Sequence, residues 1–96
     1  MPRILVTRKL PSSVISTLES AGTVDLHADA TALSPAQLRE RLRGADAVVS
    51  MLNDQFDAAT IDAAAQLKII ANVAVGFNNI DVGHARTRRV TVTNTP

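Results

Sequence analysis

The sequence predicts one α/β domain built on a parallel sheet. Two observations lead to it. Continuous apolar runs (Ile4-Leu5-Val6, Ala47-Val48-Val49 and Ile69-Ile70) read as strands buried on both faces. Between them lie segments whose apolar residues recur at helical spacing, closed by glycine or opened by a capping residue. A chain of 96 residues supports one core, not two.

The elements follow in order. Five segments read as strands: 3–7, 23–27, 46–50, 67–74 and 90–93. The second and fifth alternate (Val24, Leu26; Val90, Val92), which suits sheet edges or strands with one wet face. In the first helix Val14, Ile15, Leu18 and Ala21 share a face. Ser12 or Ser13 can cap its start, and Gly22 stands at its end. The second opens with Ser34-Pro35-Ala36-Gln37, a capping box with proline at the first helical position. Leu38 and Leu42 form its apolar stripe, Arg39, Glu40, Arg41 and Arg43 its wet side, and Gly44 follows. The third covers 57–66 and buries Ala58, Ile61 and Ala65. The fourth starts near Asn79, capped by Asn78 or Asn79 with Asp81 in its first turn, and ends by Arg89. This alternation gives a three-layer sandwich, helices on both faces of a five-stranded parallel sheet. Five strands of this kind most often take the flavodoxin-like order 2-1-3-4-5. No linker divides the chain, and no sequence repeat accompanies the alternation.

Composition narrows the function. A net charge of +1 gives no strong field, and Trp and Tyr are absent, so only Phe56 and Phe77 could stack on a base. No nucleic-acid partner is expected. Without Cys there is no disulfide, thiolate metal site or Cys nucleophile. The apolar start is cut off by Arg8 and Lys9, too early for a signal peptide. The run 69–77 is interrupted by Asn72 and falls short of the roughly 20 residues of a membrane span. A cytoplasmic domain with no membrane partner is the expectation.

In an open parallel sheet ligands bind beyond the carboxyl ends of the strands. Three segments fall there: Thr7-Arg8-Lys9, Ser50-Met51-Leu52-Asn53-Asp54 and Ala74-Val75-Gly76-Phe77-Asn78. Gly76 permits a sharp turn or close backbone approach to a ligand, just before a helix whose free N–H groups suit a carboxylate or phosphate. It equally serves as the turn every such unit needs. Met51 and Leu52 can wall a pocket, or pack under the next helix with Asp54 or Asp57 as its cap. Arg8 and Lys9 can attract an anion or simply lie in water. His27 and His84 show no matching carboxylate partner, no spacing suggests a metal site, and Arg86, Arg88 and Arg89 read as a solvated helix end. Gly44, Gly76 and Gly83 are isolated, so no GxGxxG dinucleotide loop exists and no cofactor is expected on this chain.

Two stretches carry a resemblance. The opening Ile4-Leu5-Val6-Thr7-Arg8-Lys9-Leu10-Pro11 resembles the first strand of D-2-hydroxyacid dehydrogenases. Leu67-Lys68-Ile69-Ile70-Ala71-Asn72-Val73-Ala74-Val75-Gly76-Phe77-Asn78-Asn79-Ile80-Asp81 is similar to a frequent signature of that family. The final Val90-Thr91-Val92-Thr93-Asn94-Thr95-Pro96 resembles the strand that leads into the family's nucleotide-binding domain. Within the family the glyoxylate/hydroxypyruvate reductase branch looks closest, on Val6-Thr7-Arg8 and on Met51-Leu52 followed by a polar pair. The resemblance implies that residues 1–96 are a partial substrate-binding domain. It implies that the N–H groups of Val75 and Gly76 hold a substrate carboxylate, and that Met51 and Leu52 border a small 2-oxo or 2-hydroxy acid. The complete enzyme would use NAD or NADP. The family's catalytic Arg, Glu and His map onto nothing in this chain, so no catalytic residue is assigned and the isolated chain is expected to be inactive. The family's returning C-terminal helix is also missing, which leaves an apolar face and a route to self-association.

Two other readings stay open. A phospho-receiver shares the topology but needs acids after the first strand, an Asp ending the third and a Lys ending the fifth; this chain offers Thr7-Arg8, Ser50 and Asn94. A non-catalytic interaction module would use the uncovered face.

Overall fold

Each of the five predicted strand segments contains a strand; the first four strands are shorter than their segments, and the fifth is shifted by one residue. The structure, a computed structural model, describes residues 2–29 and 31–95; Pro96, at the end of the last resembling stretch, lies outside them. The order is β1 (Arg3–Val6), α1 (Ser12–Ala21), β2 (Thr23–Leu26), α2 (Pro35–Leu42), β3 (Ala47–Ser50), α3 (Ala58–Ala63), β4 (Ile69–Asn72), α4 (Val82–Thr87) and β5 (Thr91–Asn94). All strands are parallel in the order β2-β1-β3-β4-β5, the flavodoxin-like arrangement.

Register explains the core. Leu5 pairs with Val48, Val48 with Ile70 and Ile70 with Val92, so these side chains rise on one face. There they meet Leu38 and Leu42 of α2, Ile61 of α3 and Ala85 of α4. Burying each of the larger side chains contributes about 1.5–3 kcal/mol. Right-handed crossovers put α1 on the opposite face, because the chain steps outward to β2 and then reverses through β3, β4 and β5. There Ile4 and Val6 are buried. Ala47, Val49, Ile69 and Ala71 are only half-buried, and Thr91 and Thr93 are exposed. Among the described residues, that layer holds α1 alone.

Several expectations about element ends are corrected. The α1 helix has Pro11 at its N-cap and no side-chain cap; Ser12 is already helical. The capping box of α2 forms as expected between Ser34 and Gln37. Arg41 does not lie free in water: it grips Asp25 of β2 through two bonds of 2.7 and 3.1 Å, fastening α2 to the sheet edge. The third helix spans six residues and buries Thr60 and Ile61. Beyond its end Ala64 is buried and Ala65 exposed, because the chain leaves helical geometry at Ala64. Asp57 caps it by accepting from the Thr60 N–H at 2.9 Å. Asp81, not Asn78 or Asn79, caps α4, accepting from the His84 N–H at 3.0 Å.

Gly22 is required by proximity, since its extended backbone suits any residue. A Cβ there would lie 2.4 Å from the Pro2 carbonyl oxygen, the same oxygen that accepts from Thr23 N–H at 2.8 Å. Gly22→Ala should therefore cost about 1–3 kcal/mol, read as a lowered urea midpoint. Asp57 supplies a pH test. Its hydrogen bonds from the Thr60 side chain and backbone hold its carboxyl below the ordinary value of 3.8. A lowered folded-state pKa adds stability above the unfolded value and loses it as pH falls through the folded one. Stability measured on acidification below pH 3.8 should fall less steeply in Asp57→Asn than in the parent.

Candidate functional site

At the carboxyl rim the chain places three polar strand ends side by side, where the apolar runs stop. Thr7, Ser50 and Asn72 follow or end β1, β3 and β4, and all three are buried. The Asn72 carboxamide accepts from Ser50 Oγ at 2.9 Å and donates to the Gly76 carbonyl at 3.1 Å. It also exchanges hydrogen bonds with Asn79, at 3.0 and 3.2 Å. Asn79 Nδ2 donates in turn to the Asp54 carbonyl at 2.7 Å and to the Met51 carbonyl at 3.2 Å. The Asp54 carboxylate accepts from Thr7 Oγ1 and from the Met51 N–H. Phe56, fully buried, pairs with Ile80 through Asn79 O and Asp81 N–H. One network thus spans the three loops, and no buried side-chain polar atom among the described residues lacks a partner.

The network changes how several sequence readings are placed. Asn79 is a buried link between loops, not a helix cap. Asp54 faces inward, so it neither caps α3 nor meets solvent. Buried Phe56 cannot stack on a base; Phe77, 48% exposed, still could. Gly76 does not precede a helix directly: five residues, 77–81, separate it from Val82, and α4 has only six residues. The free N–H groups expected there are consequently those of the loop itself. His84 has the carboxylate partner the sequence did not reveal: its Nε2 lies 2.7 Å from Asp62 Oδ1 on the α3–α4 surface, and this bond holds the Asp62 carboxyl below its ordinary value. His27 Nε2 lies 2.8 Å from the Thr31 carbonyl.

The loop 75–78 stands on this base. Val75 and Phe77 are exposed, Val75 to 70%, and with Leu52 and Val73 they make up four of the five exposed large hydrophobic residues among the described residues. All four follow the ends of β3 and β4, at the carboxyl rim of the sheet. A shallow groove of about 540 Å3, lined by Arg8, Met51, Leu52, Asn53 and Val73, lies in the volume range of small-molecule sites. It brings Met51 and Leu52 together with Arg8. Asn78 belongs to a separate dent of about 230 Å3 beside Gln55 and Asp57. Among the described residues, no group accepts from the N–H of Val75, Gly76, Phe77 or Asn78. A Cβ on Gly76 would meet nothing within 4 Å, and its φ is outside the left-handed region. Nothing inside the chain therefore requires glycine there. No group of three or more His, Cys, Asp or Glu that could hold a metal ion occurs among the described residues, and no helix is long and apolar enough to cross a membrane.

Asn72 and Asn94 were not legible as parts of this site; Asp54 was legible as a rim residue, but its inward bonds to Thr7 and Met51 were not. Asn72 signalled only a break in an apolar run, although a polar residue at the end of a buried parallel strand is itself a pointer to the rim.

Comparison with known proteins gives the family of the chain. Residues 4–96 match the family described as D-isomer specific 2-hydroxyacid dehydrogenase, catalytic domain. A glyoxylate reductase of Thermococcus onnurineus is 43% identical over 95 residues, 99% of this chain and 28% of that protein. The chain thus spans under a third of the length of the curated relatives it matches. A crystal structure of a Thermus thermophilus protein superposes with a TM-score of 0.91 at 38% identity, covering 98% of this chain and 30% of that one. An NAD+-bound 3-phosphoglycerate dehydrogenase of Entamoeba histolytica superposes with a TM-score of 0.83 at 26% identity, covering 99% and 33%.

The network predicts unequal costs for neighbouring asparagines. Asn79→Ala strands the Asp54 and Met51 carbonyls and the Asn72 amide, and should cost about 3 kcal/mol in chemical denaturation. Exposed Asn78→Ala should change stability by less than about 0.5 kcal/mol.

Proposed function

The chain belongs to the D-isomer specific 2-hydroxyacid dehydrogenase family, and on that premise we propose that it is the substrate-binding portion of an NAD(P)-dependent enzyme that reduces glyoxylate or hydroxypyruvate. The observation that carries this is the exposed loop 75–77, whose N–H groups have no acceptor among the described residues and whose glycine has no internal reason. Val75 and Gly76 donate to the substrate carboxylate. Met51 and Leu52 form an apolar wall, and Arg8 adds positive charge at the mouth of the groove. A small 2-oxo acid fits this set: one anionic end for backbone donors, and a short body for the wall.

The chain's own residues do not fit a nicotinamide dinucleotide. The first strand-to-helix connection, 7–11, contains no glycine, and no GxGxxG occurs. Reduction needs a hydride donor, a cation to orient the carbonyl and an acid to protonate its oxygen. In this reading those groups, the nucleotide-binding domain and a helix over the half-covered sheet face lie in the rest of the enzyme. The setting is cytoplasmic. A phospho-receiver is disfavoured by the same rim: β3 ends in Ser50 and β5 in Asn94, while Asp54 is buried and bonded.

Two measurements test the reading. Titrating the 15N-labelled chain with glyoxylate should shift the amides of Val75, Gly76 and Phe77, with no consumption of NADH or NADPH. Gly76→Ala should hold or raise the melting temperature, since its backbone suits alanine, yet weaken binding several-fold by crowding the open side. Shifts confined elsewhere, or turnover by the pure chain, contradict it.

A further inference from the structure

We propose that Asn94 and Asn72 are positioning residues that turn the loop's N–H groups toward the ligand, an inference that rests on the carboxylate reading above. Three successive carbonyls of the loop are each held from within the chain. Ala74 O accepts from Thr95 N–H at 3.0 Å. Val75 O accepts from Asn94 Nδ2 at 2.6 Å, and Gly76 O from Asn72 Nδ2 at 3.1 Å. None of the peptide bonds among the described residues is cis. In a planar trans peptide the C=O of one residue and the N–H of the next point in opposite directions. Fixing these three carbonyls therefore fixes the directions of the Val75, Gly76 and Phe77 N–H groups.

The strand order says where they point. Asn94 and Thr95 belong to β5 and the residue after it, and β5 is the edge of the sheet. Carbonyls drawn toward β5 send the N–H groups of Val75 and Gly76 away from it, to the side where the loop after β3 carries Met51 and Leu52. Asn72 is buried, so the carbonyl of Gly76 is drawn inward and the N–H of Phe77 is sent outward. Asn72 and Asn94 are register partners in the parallel pair β4–β5. Their side chains rise on the same face and take adjacent peptide units. Without these donors each peptide could rotate, and an anion would have to order the loop as it bound.

Asn94 is the cleaner test, because it is exposed while Asn72 is part of the buried network. The 96-residue chain is compared with Asn94→Ala, which loses the donor, and Asn94→Gln, which keeps one. Glyoxylate affinity comes from amide shifts, and the backbone order parameter of the Gly76 N–H comes from 15N relaxation. Asn94→Ala should weaken glyoxylate about fivefold or more, the scale of one charge-assisted hydrogen bond misdirected. It should lower the Gly76 order parameter and leave the melting temperature within a few degrees. Asn94→Gln should recover most of the affinity. Equal affinity in Asn94→Ala and the parent overturns the proposal and leaves the carboxylate reading standing. A parent chain that does not bind glyoxylate overturns the carboxylate reading; the Gly76 order parameter then decides, an unchanged value overturning the positioning role and a lowered one supporting it.

Discussion

The reciprocal carboxamide pair between Asn72 and Asn79 is the contact on which the rim depends. It lies where three strands end and their loops would otherwise diverge. A buried amide is costly unless all its groups are satisfied, and here each one is: by Ser50, by Gly76, by the Met51 and Asp54 carbonyls, and by the partner amide. That completeness allows a polar cluster to sit directly above an apolar core. It also makes the cluster intolerant, since removing one member leaves several others stranded.

The sheet and the rim divide the work. Register stacks Leu5, Val48, Ile70 and Val92 against the helices and supplies the apolar driving force. Those same strands then end in residues that can hydrogen-bond one another across the loops. On this base the loop 75–77 stands exposed, with its Val75 and Gly76 carbonyls held by Asn94 and Asn72. The exposed apolar residues of the rim, Leu52, Val73, Val75 and Phe77, gather on the same side of the molecule as those donors. Family membership then gives the pairing of apolar wall and backbone donors a chemical meaning that neither has alone.

The half-covered sheet face follows from topology. Crossovers of one hand force α2, α3 and α4 to one side once the chain reverses direction after β2. Among the described residues only α1 remains for the other side, and ten residues of helix cannot cover five strands. The half-burial of Val49, Ile69 and Ala71 is the result.

By itself the sequence determined the strand-and-helix alternation, the parallel sheet with its order, the capping of α2 and the rim segments worth inspecting. Each of these rests on local periodicity or local chemistry, which neighbours in sequence can express. The tertiary structure alone decided that Asn79 joins loops instead of capping a helix, that Asp54 turns inward, that His84 meets Asp62 and that Asn94 holds the carbonyl of Val75. Those pairs are 7 to 28 residues apart for Asn79, 22 for His84 and 19 for Asn94. Polar side chains of this kind have many partners open to them, and only the packing of strands in register selects one.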